Sequence, residues 1–240
     1  MKAADLVDHV ATLAASRLAP RAAVTTLAPL LAAFATHPDN RHAAGRLRGR
    51  VEPLRVLLNH PADDFRIVVV SWAPGRRTPI HDHAGATGAV ATLVGSTTET
   101  RYRIVADDGA GASLAEAGRT HIVGRVIAPL LPENGHQLHE MAHAEGDPAV
   151  TVHVYLQALD ELDIYEPQPD GRHRRRVQRF EADEVQGWRG WAAGPLDRHD
   201  LIDRADPHWP ADPPDLQHAT ASRPARRSTS SITSSTGVPS

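Results

Sequence analysis

The apolar positions change their period once along the chain. Near the start, Leu6, Val10, Leu13, Ala14 and Leu18 recur at helical spacing, which predicts an amphipathic helix that Pro20 stops or kinks. A second helix is predicted over residues 22–34 and a third around 40–47, so residues 1–50 form a helical region packed against the rest of the chain. From Asp64 the texture is that of strands. Residues 65–72 are a β-branched run, closed by a turn at Pro74-Gly75. Strand-like runs come next at 88–94, 98–105, 121–130, 137–141 and 149–156, with Gly, Pro, Asn and Asp between them. Many short strands with turn signals indicate a sandwich or a barrel. The expected fold class is therefore mainly β with an α-helical N-terminal region, its domain occupying residues 51–204.

The sequence becomes polar after Glu166. Trp188 and Trp191 suggest that part of 179–201 still packs on the domain. From about Asp206 Pro, Ser, Thr and Arg dominate, and residues 205–240 read as a disordered tail that cannot bury enough apolar surface to offset chain entropy. No apolar run approaches the roughly 18 residues of a membrane helix. The start, with Lys2, Asp5 and Asp8, lacks the basic and apolar stretches of a signal peptide, so the chain is read as cytoplasmic and without a membrane partner. A net charge of -3 gives no support to nucleic-acid binding. One basic run, Arg172-His173-Arg174-Arg175-Arg176, could bind phosphate but reads first as a solvated face. There is no cysteine, so disulfides, thiolate metal sites and a cysteine nucleophile are excluded.

Fifteen histidines are more than average, and only their spacing gives them meaning. His81 and His83 stand at i and i+2, so on a strand both imidazoles point to one face. They come after the 65–72 strand, the Pro-Gly turn and Gly75 at fixed distance. Downstream, Gly135-His136-Gln137-Leu138-His139 offers two further candidates. They are odd-spaced and face opposite ways on a straight strand. His139 is preferred because Gly135 and His136 look like the turn before it. A third segment alternates Thr151, His153 and Tyr155 with Val152 and Val154. Its polar row could face water, or it could pass a hydrogen bond from hydroxyl to imidazole to phenol.

The spacing Gly75-x5-His81-x-His83-x4-Gly88-x6-Gly95 resembles the first motif of the cupin superfamily, in which most members carry a glutamate ligand where this chain has Gly88. Trp72, Gly75, His81-Asp82-His83, Leu138-His139 and Asp147-Pro148-Ala149-Val150-Thr151-Val152-His153-Val154-Tyr155 together resemble the cysteine dioxygenase family of thiol dioxygenases, over roughly residues 55–167. The resemblance implies a cupin-type double-stranded β-helix, or jelly-roll, barrel. It implies an Fe(2+) ion held by His81, His83 and His139 alone, with room beside it for a small thiol and dioxygen. It implies catalytic roles for Tyr155, His153 and Thr151, the last replacing a serine. In animal members the residue at the Gly88 position is a cysteine cross-linked to the tyrosine, so Tyr155 should be an unmodified phenol here. Counting back from Trp72, Arg55 matches the arginine that grips the substrate carboxylate, although a surface arginine on an edge strand would look the same. The expected function is oxidation of L-cysteine by O2 to cysteine sulfinic acid, a step of cysteine catabolism, by a monomer or small homo-oligomer. The alternatives are a dioxygenase of another small thiol, such as 3-mercaptopropionate, and a non-catalytic metal-binding cupin.

Overall fold

A computed structural model describes residues 1–48, 54–132, 138–144, 146–180, 182, 184, 185 and 191. Three helices come first: α1 (Ala3–Ala15), α2 (Pro20–Thr36) and α3 (Pro38–Gly45). Pro20 does not end the first helix; it opens the second, where a missing N–H costs nothing because the first turn leaves its N–H groups unpaired. α1 stops at Ala15, short of its apolar spacing, and Leu18 is exposed in the linker. α3 starts with Pro38, two residues earlier than expected, and the His37 side chain accepts a hydrogen bond from the Asp39 N–H.

The strands among the described residues form two sheets. In the first, the spatial order is β12 (Glu184–Val185), β1 (Arg55–Leu57), β2 (Arg66–Trp72), β9 (Ala149–Tyr155), β4 (Gly88–Val94) and β7 (Ile127–Leu130). In the second, β10 (Glu161–Pro167), β11 (His173–Arg179), β6 (Ala112–Val123), β5 (Ser96–Asp107), β8 (Leu138–His143) and β3 (Ile80–His81) close into a ring. Among the described residues only β1 and β12 pair in parallel. The result is the mainly β barrel with N-terminal helices that the pattern predicts.

Two differences have physical causes. The run expected as one strand over 121–130 is two strands in different sheets. β6 ends at Val123, Gly124 turns the chain with φ of 61°, and β7 resumes at Ile127. The polar stretch after Glu166 is not simply a loop, because the arginine run forms β11. It pairs antiparallel with β10, whose acidic residues face it: Arg174 meets Glu166 at 3.1 Å, Arg175 meets Asp163 at 2.6 Å and Arg176 meets Glu166 at 3.0 Å. Opposite charges across a strand pair supply the cross-strand contacts that apolar side chains usually give.

Alternation along the central strands explains where the site lies. Ile67 and Val69 on β2, Ala89, Ala91 and Leu93 on β4, and Val150, Val152 and Val154 on β9 join one apolar cluster with Leu6 and Val10 of α1 and Leu27, Leu31 and Phe34 of α2. Each fully buried side chain of this size contributes about 1.5–3 kcal/mol. The intervening residues therefore face away from the helices, into the barrel: Val68 and Trp72, Val90, and Tyr155 belong to a second cluster. Trp191 is buried, and its indole N–H donates to Asn40 Oδ1 at 3.2 Å. Trp188 and the 205–240 tail lie outside the described residues. Among the described residues no helix is long and apolar enough to cross a membrane.

Candidate metal centre

The structure brings His81, His83 and His139 together from two strands and a turn. His81 ends β3 and stands directly opposite His139 of β8 in the ladder. His83 is not on the strand, which is only two residues long. Its place comes from the turn after it. Asp82 Oδ1 accepts from the Ala84 N–H at 3.2 Å and the Asp163 N–H at 2.8 Å, and the Asp82 N–H donates to Asp163 O at 3.0 Å. Ala84 and Gly85 then take left-handed conformations, with φ of 48° and 79°. The middle residue of His-Asp-His is thus a brace. The alternative ligand His136 lies outside the described residues.

One ligand atom from each of the three imidazoles lies within 4.8 Å of the other two. The ring centroids are 4.5–5.1 Å apart. The Nε2 atoms of His83 and His139 are buried with no hydrogen-bond partner, which a folded protein seldom leaves without a ligand. Burial lowers the pKa of all three, and for His83 and His139 the neighbouring imidazoles push it further down, well below the ordinary value. All three are therefore neutral and can present a lone pair. His81 Nδ1 sits 2.9 Å from Pro79 O and His139 Nδ1 sits 2.9 Å from Glu99 Oε1, so in both rings Nδ1 carries the proton and Nε2 is free to coordinate. Geometry, tautomer and charge state fit a divalent cation, and imidazole suits iron among several such metals.

Sequence reasoning misses Glu99. On β5 it lies in a run of threonines that reads as an exposed strand, yet its side chain is only 1% exposed because the ring of strands closes around it. Burial pushes its carboxyl up to about 7, while Arg101 and His81 pull it down. The signal that could have found it is the period-two row Thr97, Glu99, Arg101, whose register partners on β8 are His143, Met141 and His139.

Thr151, His153 and Tyr155 share the inward face of β9, and all three are buried. Trp72 Nε1 donates to Thr151 Oγ1 at 2.8 Å. An indole N–H can only donate, so the threonine oxygen accepts there and its own proton goes to His153 Nε2, 2.9 Å away. His153 Nδ1 then carries the proton it donates to Tyr155 Oη at 3.3 Å. The relay has a direction, and it leaves the phenol proton free to donate onward. Burial drops His153 to about 3, so it stays neutral. Burial also pushes the Tyr155 phenol above its usual range, against the pull of Arg55. The Tyr155 ring lies 5.5 Å from that of His83. Trp72 as the head of the relay is likewise not evident from the sequence.

Arg55 is buried on β1, 6% exposed. Its guanidinium carbon stands 5.9 Å from the centroid of the Phe180 ring, and Phe180 packs edge-on against Tyr155 at 6.4 Å. Phe180 and Ala84 help line an open cleft of about 530 Å³, together with Ala158, Asp160, Glu161 and Arg179. The cleft reaches the turn after His83 on one side and the ring over Arg55 on the other.

Among solved structures, the chain is similar to the cupin domain of Cnp3 from Schizosaccharomyces pombe (9% identity, TM-score 0.35, covering 44% of this chain and 61% of that one). It is similar to a cupin superfamily protein from Desulfitobacterium hafniense DCB-2 (16% identity, TM-score 0.33, covering 45% and 81%). It is also similar to a double-stranded β-helix protein from Klebsiella pneumoniae (18% identity, TM-score 0.34, covering 55% and 84%). A family model described as cysteine dioxygenase type I matches residues 2–168, more than two thirds of the chain. A match over that span is a family relationship: the chain belongs to the cysteine dioxygenase type I family.

Proposed function

We propose that this protein is a non-haem iron(II) thiol dioxygenase acting on L-cysteine. The observation that carries the reading is the meeting of two halves in one barrel. Neutral imidazoles with unpartnered Nε2 atoms lie on one side, and a hydrogen-bonded Thr151–His153–Tyr155 row beside a buried Arg55 lies on the other.

His81, His83 and His139 would hold the ion. Ferrous iron, when bound, lowers the pKa of a thiol and supplies the redox chemistry by which dioxygen oxidises sulfur. The overall change balances as RSH + O2 → RSO2H: the S–H and O–O bonds break, two S–O bonds and one O–H bond form, sulfur loses four electrons and dioxygen gains them. No further reductant is needed. Tyr155, its hydroxyl accepting from His153, donates its free proton toward the reacting atoms. Its raised pKa keeps it a donor at neutral pH. Arg55 meets the substrate carboxylate as a planar fork. Among the described residues, the arginines of the basic run and Arg179 are each tied to a carboxylate: Arg172 to Asp108, Arg174 and Arg176 to Glu166, Arg175 to Asp163 and Arg179 to Glu161. That supports cysteine over a thiol acid gripped from the other side.

The test is oxygen uptake by the iron(II)-loaded protein with L-cysteine, 3-mercaptopropionate and cysteamine, with the sulfinic acid identified by mass spectrometry. Cysteine should give the highest kcat/KM with one O2 consumed per sulfinate. A preference for the amine-free acid would move the substrate assignment, and iron binding without turnover of any thiol would make the protein a binder.

A further inference from the structure

We propose that Glu99 supplies, from behind His139, the negative charge that the metal centre lacks at Gly88, and that it positions the centre for a divalent cation by that charge. The proposal rests on the reading that the three histidines hold such an ion.

Position 88 cannot carry a ligand in this fold. A Cβ there would lie 2.0 Å from Val154 O, 3.0 Å from its carbonyl carbon and 3.3 Å from Tyr155 Cα. The strands β4 and β9 approach too closely at the Gly88–Tyr155 pair for a side chain to enter unless they part, and a ligand-sized one would need far more room than a methyl. The donors in the centre are therefore three neutral imidazoles, and a divalent ion among them would keep its full charge inside an apolar barrel, at a high desolvation cost. A compensating carboxylate must come from elsewhere. Asp82 is buried, but its Oδ1 serves the backbone N–H groups that shape the turn. Glu140 pairs with Arg77 at 3.3 Å. Among the described residues Glu99 is the buried carboxylate that touches a ligand imidazole, at 2.9 Å from His139 Nδ1. Arg101, at 3.9 Å, is too far for a hydrogen bond with it. Without a cation, a carboxylate buried this deeply weakens the fold. With one, it strengthens the imidazole as a donor and offsets charge through the ring.

The probe is Co(II) alone, titrated into metal-free protein against a chelating competitor, with apparent melting temperature followed in parallel. Wild type should bind one equivalent. Glu99→Gln keeps the shape and still offers an oxygen to the His139 N–H, so it separates charge from orientation. It should weaken Co(II) binding about 10–100-fold without lowering the melting temperature of the metal-free protein. Glu99→Thr, which removes both the charge and the contact with His139 within a run of threonines, should weaken binding at least as much, and it decides the matter if Glu99→Gln does not fold. Wild-type affinity in Glu99→Gln, or in Glu99→Thr, would overturn the role of Glu99 while leaving the metal centre standing. Failure of the wild type to bind Co(II) would overturn both.

Discussion

Replacing Gly88 by alanine tests how closely the barrel sets Tyr155. The added methyl would start 2.0 Å from Val154 O. An ordinary carbon–oxygen contact needs about 3.3 Å, so β4 and β9 must part locally by about 1.3 Å. Overpacking of this kind costs about 1–3 kcal/mol. For a domain of this size each kcal/mol lowers the melting temperature by about 2–4 °C, so a fall of about 2–12 °C is expected. The displacement falls at the register partner of Gly88, which is Tyr155 itself. A misplacement near 1 Å in a reacting group costs about 10²-fold in rate. The histidines are carried by β3, β8 and the turn after His81 rather than by this strand pair, so iron content should be close to wild type. Gly75→Ala is the control. It has positive φ, at 78°, and open space around it, so the cost is backbone strain alone, about 1–2 kcal/mol, with turnover retained. Differential scanning fluorimetry, metal analysis and oxygen uptake give the three readouts. A Gly88→Ala protein with wild-type melting temperature and turnover would show that the close approach of the strands does not govern the phenol.

Tyr155→Phe keeps the ring and removes the donor; kcat should fall about 10²-fold with iron content unchanged, and wild-type turnover would make the relay structural only. Arg55→Ala should raise KM for cysteine by roughly 10²-fold, as expected when one partner of a buried ion pair is removed, and leave cysteamine unaffected; equal effects on both thiols would remove Arg55 from the carboxylate. Metal-free protein should lose stability as pH falls below 6.5. His81, His83, His139 and His153 have folded pKa values below the ordinary 6.5, His153 at about 3, so the unfolded chain takes up protons there that the folded chain refuses. Each such imidazole adds to the loss until the pH reaches its own folded pKa. Glu99 acts oppositely between about 7 and 4.5, where its folded carboxyl holds a proton that the unfolded one has lost, and offsets one of the four. A flat melting profile from pH 7 to pH 5 would contradict this.

What the sequence discloses is what depends on spacing along one strand or helix. Leu6, Val10 and Leu13 announce a helix face. Thr151, His153 and Tyr155 announce a strand face, and only the valines between them hint that both faces are buried. What it conceals depends on pairing between distant segments. Glu99 looks solvated until β5 closes against β8. The arginines of β11 look like a solvated run until Asp163 and Glu166 stand across from them. Spacing alone puts His83 on a strand beside His81, but it owes its place to Asp82 reaching Asp163, a contact 81 residues away in sequence. The split of 121–130 into β6 and β7 is hidden because both halves carry the same apolar texture, and only Gly124 marks the corner.

The two sheets divide the work. Glu99, His81 and His139 belong to the closed ring, on β5, β3 and β8, with His83 in the turn that β3 leads into. Arg55, Trp72, Thr151, His153 and Tyr155 belong to the other sheet, on β1, β2 and β9. This other sheet is the one backed by the helices, and its alternation is strict because both faces are buried. On the proposed reading a metal would load on one wall, while protons and the substrate carboxylate would be handled on the other. Substitutions on the ring should therefore change metal affinity first, and substitutions on the helix-backed sheet should change kcat or KM at constant metal content. A pair drawn from opposite walls, such as Glu99→Gln with Arg55→Ala, should combine additively in metal affinity, because Arg55 contributes little to it. Strong coupling between them in a double-mutant cycle would mean that the carboxylate site and the metal centre are one electrostatic unit, and the division by sheet would fail.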